Sequence, residues 1–173
     1  MGLFSIFKRK KRKPDLAFED YAKEALVDFQ RNDFLGKAAE ADRKAKAAAI
    51  DKQYDKACRL YQEQKIFYMQ HANRSGFTAK QSLALDASVH EDMANILRLE
   101  NKHEDALVHI VYWVLAGADR PIKRHQQKLK SYFNRCKLEN TELSEAERIL
   151  ASNAKLPEFM VARSIVSEWI SRG

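Results

Sequence analysis

Large apolar residues recur along this chain at steps of three and four, the period of an α-helix, and no stretch shows the sustained two-residue alternation of a strand. Asp15 can cap a first helix over 16–32, with Leu16, Tyr21, Leu26 and Phe29 on its apolar face; Asn32, Asp33 and Gly36 interrupt it. A second helix, 37–50, is rich in alanine, and small side chains let a neighbouring helix approach closely. A third, 53–72, carries Tyr54, Ala57, Leu60, Tyr61, Phe67 and Tyr68 and ends at a loop with Asn73, Ser75 and Gly76. Thr78 and Gln81 have the spacing of a capping box and open a fourth helix, 79–100, with Leu85, Val89, Met93, Ile96 and Leu97 on one side. The fifth, 103–116, buries Ala106, Leu107, Ile110, Val111, Val114 and Leu115 and stops at Gly117. Pro121 suits the first turn of a sixth, running to 136. Ser144 and Glu147 cap a seventh, 145–153, and Pro157 opens an eighth with Phe159, Ala162, Val166 and Trp169 in register. The expectation is an all-α fold of antiparallel hairpins, an array or bundle of about eight helices. Residues 1–13 stand apart as a tail, and 14–173 as a single helical domain.

One pattern occurs twice. Ala48, Tyr54, Ala57 and Tyr61 are matched, at identical gaps, by Leu97, His103, Ala106 and Ile110. In each copy a helix ends, a short turn follows, and a small residue stands one turn into the next helix, where two antiparallel helices cross. The pattern resembles the tetratricopeptide repeat, best around 90–116, where Met93-Ala94 pairs a large with a small residue and Ala106 matches the family's alanine. The copies lie 49 residues apart against a repeat of about 34, no glycine stands at Ala45 or Ala94, and His90 replaces an aromatic. The resemblance covers about half the chain and implies a module that holds a protein partner on a concave face and does no chemistry. An irregular helical bundle sharing generic packing rules is the alternative.

Charge changes the picture of the tail. The 173 residues carry a formal net charge of +7, from 31 basic and 24 acidic side chains. Lys8, Arg9, Lys10, Lys11, Arg12 and Lys13 supply six of the positives; without them 25 basic face 24 acidic residues. The rest of the chain is therefore close to neutral, and no global argument for nucleic-acid binding holds. Just before the basic run come Leu3, Phe4, Ile6 and Phe7. Burying one such side chain is worth roughly 1.5–3 kcal/mol, and each nearby cation adds about 1 kcal/mol against an anionic lipid surface. An apolar anchor plus a polybasic patch is the two-signal arrangement for peripheral membrane attachment. Two other readings stand beside it: an arm that docks on its own domain or a partner, and a nucleic-acid contact or nuclear import signal. The apolar-then-basic order is the reverse of an export signal. Gly2 invites a myristoylation reading, but the motif's sixth position holds Ile6.

Candidate chemistry is sparse. Five scattered glycines build no phosphate loop or dinucleotide fingerprint. Cys58 and Cys136 have neither metal-ligand nor redox spacing and read as free thiols of a cytoplasmic protein. His90-Glu91-Asp92 and His103-Glu104-Asp105 are adjacent on helices, so their side chains diverge by about 100° and form no facing cluster. No catalytic residue, cofactor or metal is expected. Phe67, Tyr68, Tyr112 and Trp113 fall outside the apolar stripes; either neighbouring helices cover them or they anchor a partner. Lys123, Arg124 and Lys130 belong to a basic stretch, 120–137, that is a solvated face or a contact for acidic lipid, acidic protein or RNA. The composite expectation is a cytoplasmic adaptor held at the inner face of a membrane by residues 1–13. The runner-up is a nucleic-acid-associated protein using the tail and the 120–137 helix; a small enzyme or metal protein comes third.

Overall fold

The structure is a computed structural model and describes residues 16–153 and 157–172. Among them the elements are all α-helices: α1 (Leu16–Asn32), α2 (Phe34–Ile50), α3 (Tyr54–Arg74), α4 (Ala79–Ser88), α5 (His90–Leu99), α6 (His103–Ala116), α7 (Lys123–Cys136), α8 (Leu143–Asn153) and α9 (Phe159–Ser171). The fold is all-α, as the apolar periodicity requires. The chain divides into two compact units, residues 1–33 and 34–173. In the first unit α1 leaves Tyr21, Leu26 and Val27 exposed.

In the second unit the expected fourth helix bends into α4 and α5. The Ser88 hydroxyl donates to the Leu85 carbonyl at 2.7 Å, a back-bond that competes with the helical ladder and bends it. Val89 at the bend keeps helical angles, φ −81 and ψ −21. The capping box at the start of α4 is complete: the Gln81 N–H donates to Thr78 Oγ1 at 3.3 Å, and the Thr78 N–H to Gln81 Oε1 at 2.9 Å. Pro121 does not open α7. The backbone stays extended at Ile122 (φ −114, ψ 150), which becomes the residue before the first turn.

The centre of this unit is α6. Ala106, Leu107, Val108, Ile110, Val111, Tyr112 and Leu115 are all buried, so the helix is apolar around most of its circumference and is enclosed. α4, α5, α7, α8 and α9 all pack on it. To one side, α2 meets α3 along a seam of alanines, Ala38, Ala41, Ala45 and Ala48, at heptad-like steps. Ala57 and Tyr61 of α3 and Val89, Met93 and Ile96 complete that smaller core.

The echo in the sequence has a common geometry. Lys52 and Asn101 both adopt left-handed backbone, φ 58 and φ 60. In the first turn Gln53 N–H donates to the Ala48 carbonyl at 2.8 Å and Lys52 N–H to Ala49 at 3.1 Å; in the second Lys102 donates to Leu97 at 2.9 Å and Asn101 to Arg98 at 3.1 Å. Each is a Schellman motif, which satisfies the last carbonyls of the outgoing helix. Ala57 and Ala106, one turn into the returning helices, are both wholly buried. Gly76 (φ 65) closes α3 with the same pair of bonds, Phe77 to Ala72 and Gly76 to Asn73.

Candidate functional site

The end of α6 and the start of α7 frame a groove with α4. Its volume is about 510 Å³, within the range of ligand pockets, and its floor is built of Ala84, Ala87, Ala116 and Gly117 around the half-buried Trp113. Small residues keep it open. Gly117 is required by close approach: a Cβ there would lie 2.1 Å from Cε1 of His125. The His125 ring meets Trp113 edge-on, centroids 4.3 Å apart, and burial lowers its pKa against the pull of Glu91. At the rim Lys80 is paired with Asp119, while Arg120 and Ile122 stand exposed.

A second assembly lies where α3, α4, α5, α6 and α9 meet. Asp86 accepts a hydrogen bond from the Tyr112 hydroxyl at 2.6 Å and an ion pair from Lys65 at 3.1 Å. Lys65 Nζ also stands 2.8 Å from His90 Nε2. An ammonium only donates, so Nε2 accepts and the His90 proton belongs on Nδ1. Nδ1 is buried without a hydrogen-bond partner, and the ring is enclosed by those of His109 (4.8 Å), Tyr112 (4.5 Å) and Phe159 (5.2 Å). Burial, reinforced by Lys65, drives the His90 pKa down to about 2 and that of His109 to about 4. Both imidazoles are therefore neutral at pH 7. Chemically the assembly is one carboxylate serving an ammonium and a phenol inside an aromatic box. A third polar link joins α5 to α7: buried Glu91 pairs with Arg124 at 2.7 Å and Lys128 at 3.0 Å, and Asn95 accepts from Tyr132 at 2.7 Å.

The residues expected to contact a partner are not gathered in one place. Trp113 lines the groove, with Lys123 and Arg124 on the first turn of α7 beyond its rim. Arg124 is engaged by Glu91, and Lys130 is exposed further along α7. Phe67 and Tyr68 are half-buried on α3, and Tyr68 packs against the alanine-lined core. Tyr112 is 5% exposed, the covered one of the two readings, because helices surround α6. Leu3, Phe4, Ile6, Phe7 and the basic residues Lys8, Arg9, Lys10, Lys11, Arg12 and Lys13 lie outside the described residues. Sequence reasoning missed Lys65, Asp86, His109 and Phe159, which no spacing links. His125 was legible only as one basic-stretch residue, and Gly117 only as a helix stop.

Among the described residues no three His, Cys, Asp or Glu side chains are grouped so as to hold a metal ion, and no helix is long and apolar enough to cross a membrane. No protein-family model, curated protein or solved structure matches the chain.

Proposed function

We propose that this chain is a non-enzymatic protein-interaction module, an adaptor or scaffold whose partner seats in the α4–α6–α7 groove. The observation that carries this reading is the groove itself. It is apolar, floored by small residues, and fronted by a half-buried tryptophan, the side-chain type most enriched among binding anchors. Resemblance to tetratricopeptide arrays supports the same reading through the paired hairpins with matched Schellman turns. The central position of α6 departs from a stack in which each repeat touches only its neighbours, so the kinship we propose is of the hairpin unit. Attachment to the inner face of an anionic membrane through residues 1–13 is the second half of the proposal, supported by the four apolar and six basic residues there.

Photo-crosslinking from position 84 in the native cell tests the first half: a discrete adduct that disappears when the groove is filled by Ala116→Trp is expected, and none would overturn it. Co-sedimentation with vesicles containing anionic lipid tests the second. The full chain should pellet and a chain without residues 2–13 should not; equal partition would overturn it. A nucleic-acid role draws on one specific observation, the exposed Lys123, Lys130 and Arg135 of α7. It predicts binding that falls steeply with salt and survives loss of Phe4 and Phe7.

A further inference from the structure

We infer that the partner seated in the α4–α6–α7 groove is an acidic amphipathic helix, with apolar side chains on the Ala84–Trp113 floor and carboxylates at the amino end of α7. The inference rests on the interaction-module reading and names the chemistry of its ligand.

Charge complementarity is the first argument. Of the charged side chains on the rim, Lys80 and Asp119 neutralise each other. Arg120 remains on the groove rim, and Lys123 follows as the first residue of α7. Neither makes an ion pair with any described carboxylate, whereas Arg124 and Lys128 are held by Glu91.

The second argument is the end of α7. Its capping position is occupied by Ile122, whose side chain cannot accept a hydrogen bond, and its first turn holds no acid. The first turn instead carries Lys123 and Arg124, two cations at the positive end of a helix dipole, the opposite of the favourable arrangement. An uncapped helix end and Lys123, which has no ion-pair partner among the described residues, therefore lie beside the mouth of the groove, next to Arg120 on its rim. His125, only 7% exposed and with no hydrogen bond to its ring, lines that mouth over Gly117. A carboxylate arriving there would cap the helix, pair with Arg120 and Lys123, and present an acceptor to the imidazole.

Backbone geometry argues for a helical ligand. Strand addition, one mode of extended-peptide capture, needs a sheet edge, and the described residues contain no strand. An amphipathic helix needs only an apolar trough for residues at steps of three and four, and the walls here are α4 and α6. Nucleic acid fits this groove poorly, since its floor is apolar and at its mouth only Arg120 and Lys123 are available for phosphate.

The test uses the full chain, isotope-labelled, titrated with two synthetic 18-residue helical peptides. Both carry leucine at steps of three and four; one has glutamate at the flanking positions, the other lysine. The glutamate peptide should shift the Trp113 indole resonance and the amides of Ala84, Gly117 and Lys123. It should bind at least tenfold more tightly than the lysine peptide and lose at least tenfold in affinity with R120E/K123E, a surface change that leaves circular dichroism unaltered. Equal binding of the two peptides, indifference to R120E/K123E, or no binding of the glutamate peptide would each overturn the inference. An adduct at position 84 in the cell with a partner segment that is not acidic would overturn it too, while leaving the interaction-module reading in place.

Discussion

Replacing Asp86 should reveal how much of the fold depends on one carboxylate. It receives the Tyr112 hydroxyl at 2.6 Å and Lys65 at 3.1 Å, and the two charged side chains are only 22% and 20% exposed. At an effective dielectric of ~20, charges 3.1 Å apart attract by about 5 kcal/mol, and dehydrating them offsets most of that. What remains visible on substitution is the cost of stranding the partners. Asp86→Leu leaves the phenol without an acceptor and the partly buried ammonium without its counter-charge, with only His90 Nε2 at 2.8 Å left to accept from Lys65. A loss of about 2–4 kcal/mol is expected, a large share of the roughly 5–15 kcal/mol that holds a domain together. Asp86→Asn keeps an acceptor for Tyr112 and should cost about 1–2 kcal/mol. Lys65→Met should cost a similar amount alone, and in combination with Asp86→Leu should recover part of the loss, a coupling of about 1–3 kcal/mol. Urea unfolding followed by circular dichroism reads all four proteins, with slopes unchanged and midpoints displaced by about 1–2 M for Asp86→Leu. Additivity of Lys65→Met and Asp86→Leu within about 0.5 kcal/mol, or an Asp86→Leu midpoint equal to that of the parent, would refute the reasoning.

Acid should destabilise the protein well before its carboxylates titrate. His90 and His109 stay neutral when folded, with pKa values near 2 and 4 against 6.5, so below about pH 6.5 the unfolded chain binds protons that the folded one refuses. Their contribution is complete above that pH and falls by about 1.4 kcal/mol per unit for each histidine down to pH 4; urea midpoints between pH 7.5 and 4.5 report it, and His109→Gln should flatten the slope. Lys52→Gly should stabilise by about 0.5–1 kcal/mol, because a side chain at φ 58 is strained and glycine is not; a lower melting temperature would contradict this. Gly117→Ala should cost about 1–3 kcal/mol, since the new methyl must expel the His125 ring from Trp113, and a fluorescence change at Trp113 should accompany it.

Local signals in the sequence carried through where the chemistry is local. The bounds of α6, 103–116, follow from a repeated turn on one side and Gly117 on the other, and the Thr78–Gln81 box is a three-residue affair. The bend at Val89 was hidden because Ser88 back-bonding depends on a rotamer and not on a pattern. Tyr112 stood open between two readings, because an apolar stripe shows which face must be buried, not whether neighbouring helices cover the rest. The Asp86 assembly was out of reach altogether. Its members come from α3, α4, α5, α6 and α9, and only tertiary packing puts Lys65 beside His90. The groove lies between these cases, since its alanines and glycine were visible but their convergence on Trp113 was not.

The alanine seam of α2 has a mechanical consequence. Burying a methyl group recovers far less apolar surface than burying the leucines and valines around α6, so the α2–α3 hairpin should open at a lower free energy than the helices packed on α6. Only Asp33 separates α1 from α2 along the chain. Tension applied through the N-terminal segment therefore reaches this softer hairpin first, which would peel open and absorb the load while α6 and the helices around it stay closed.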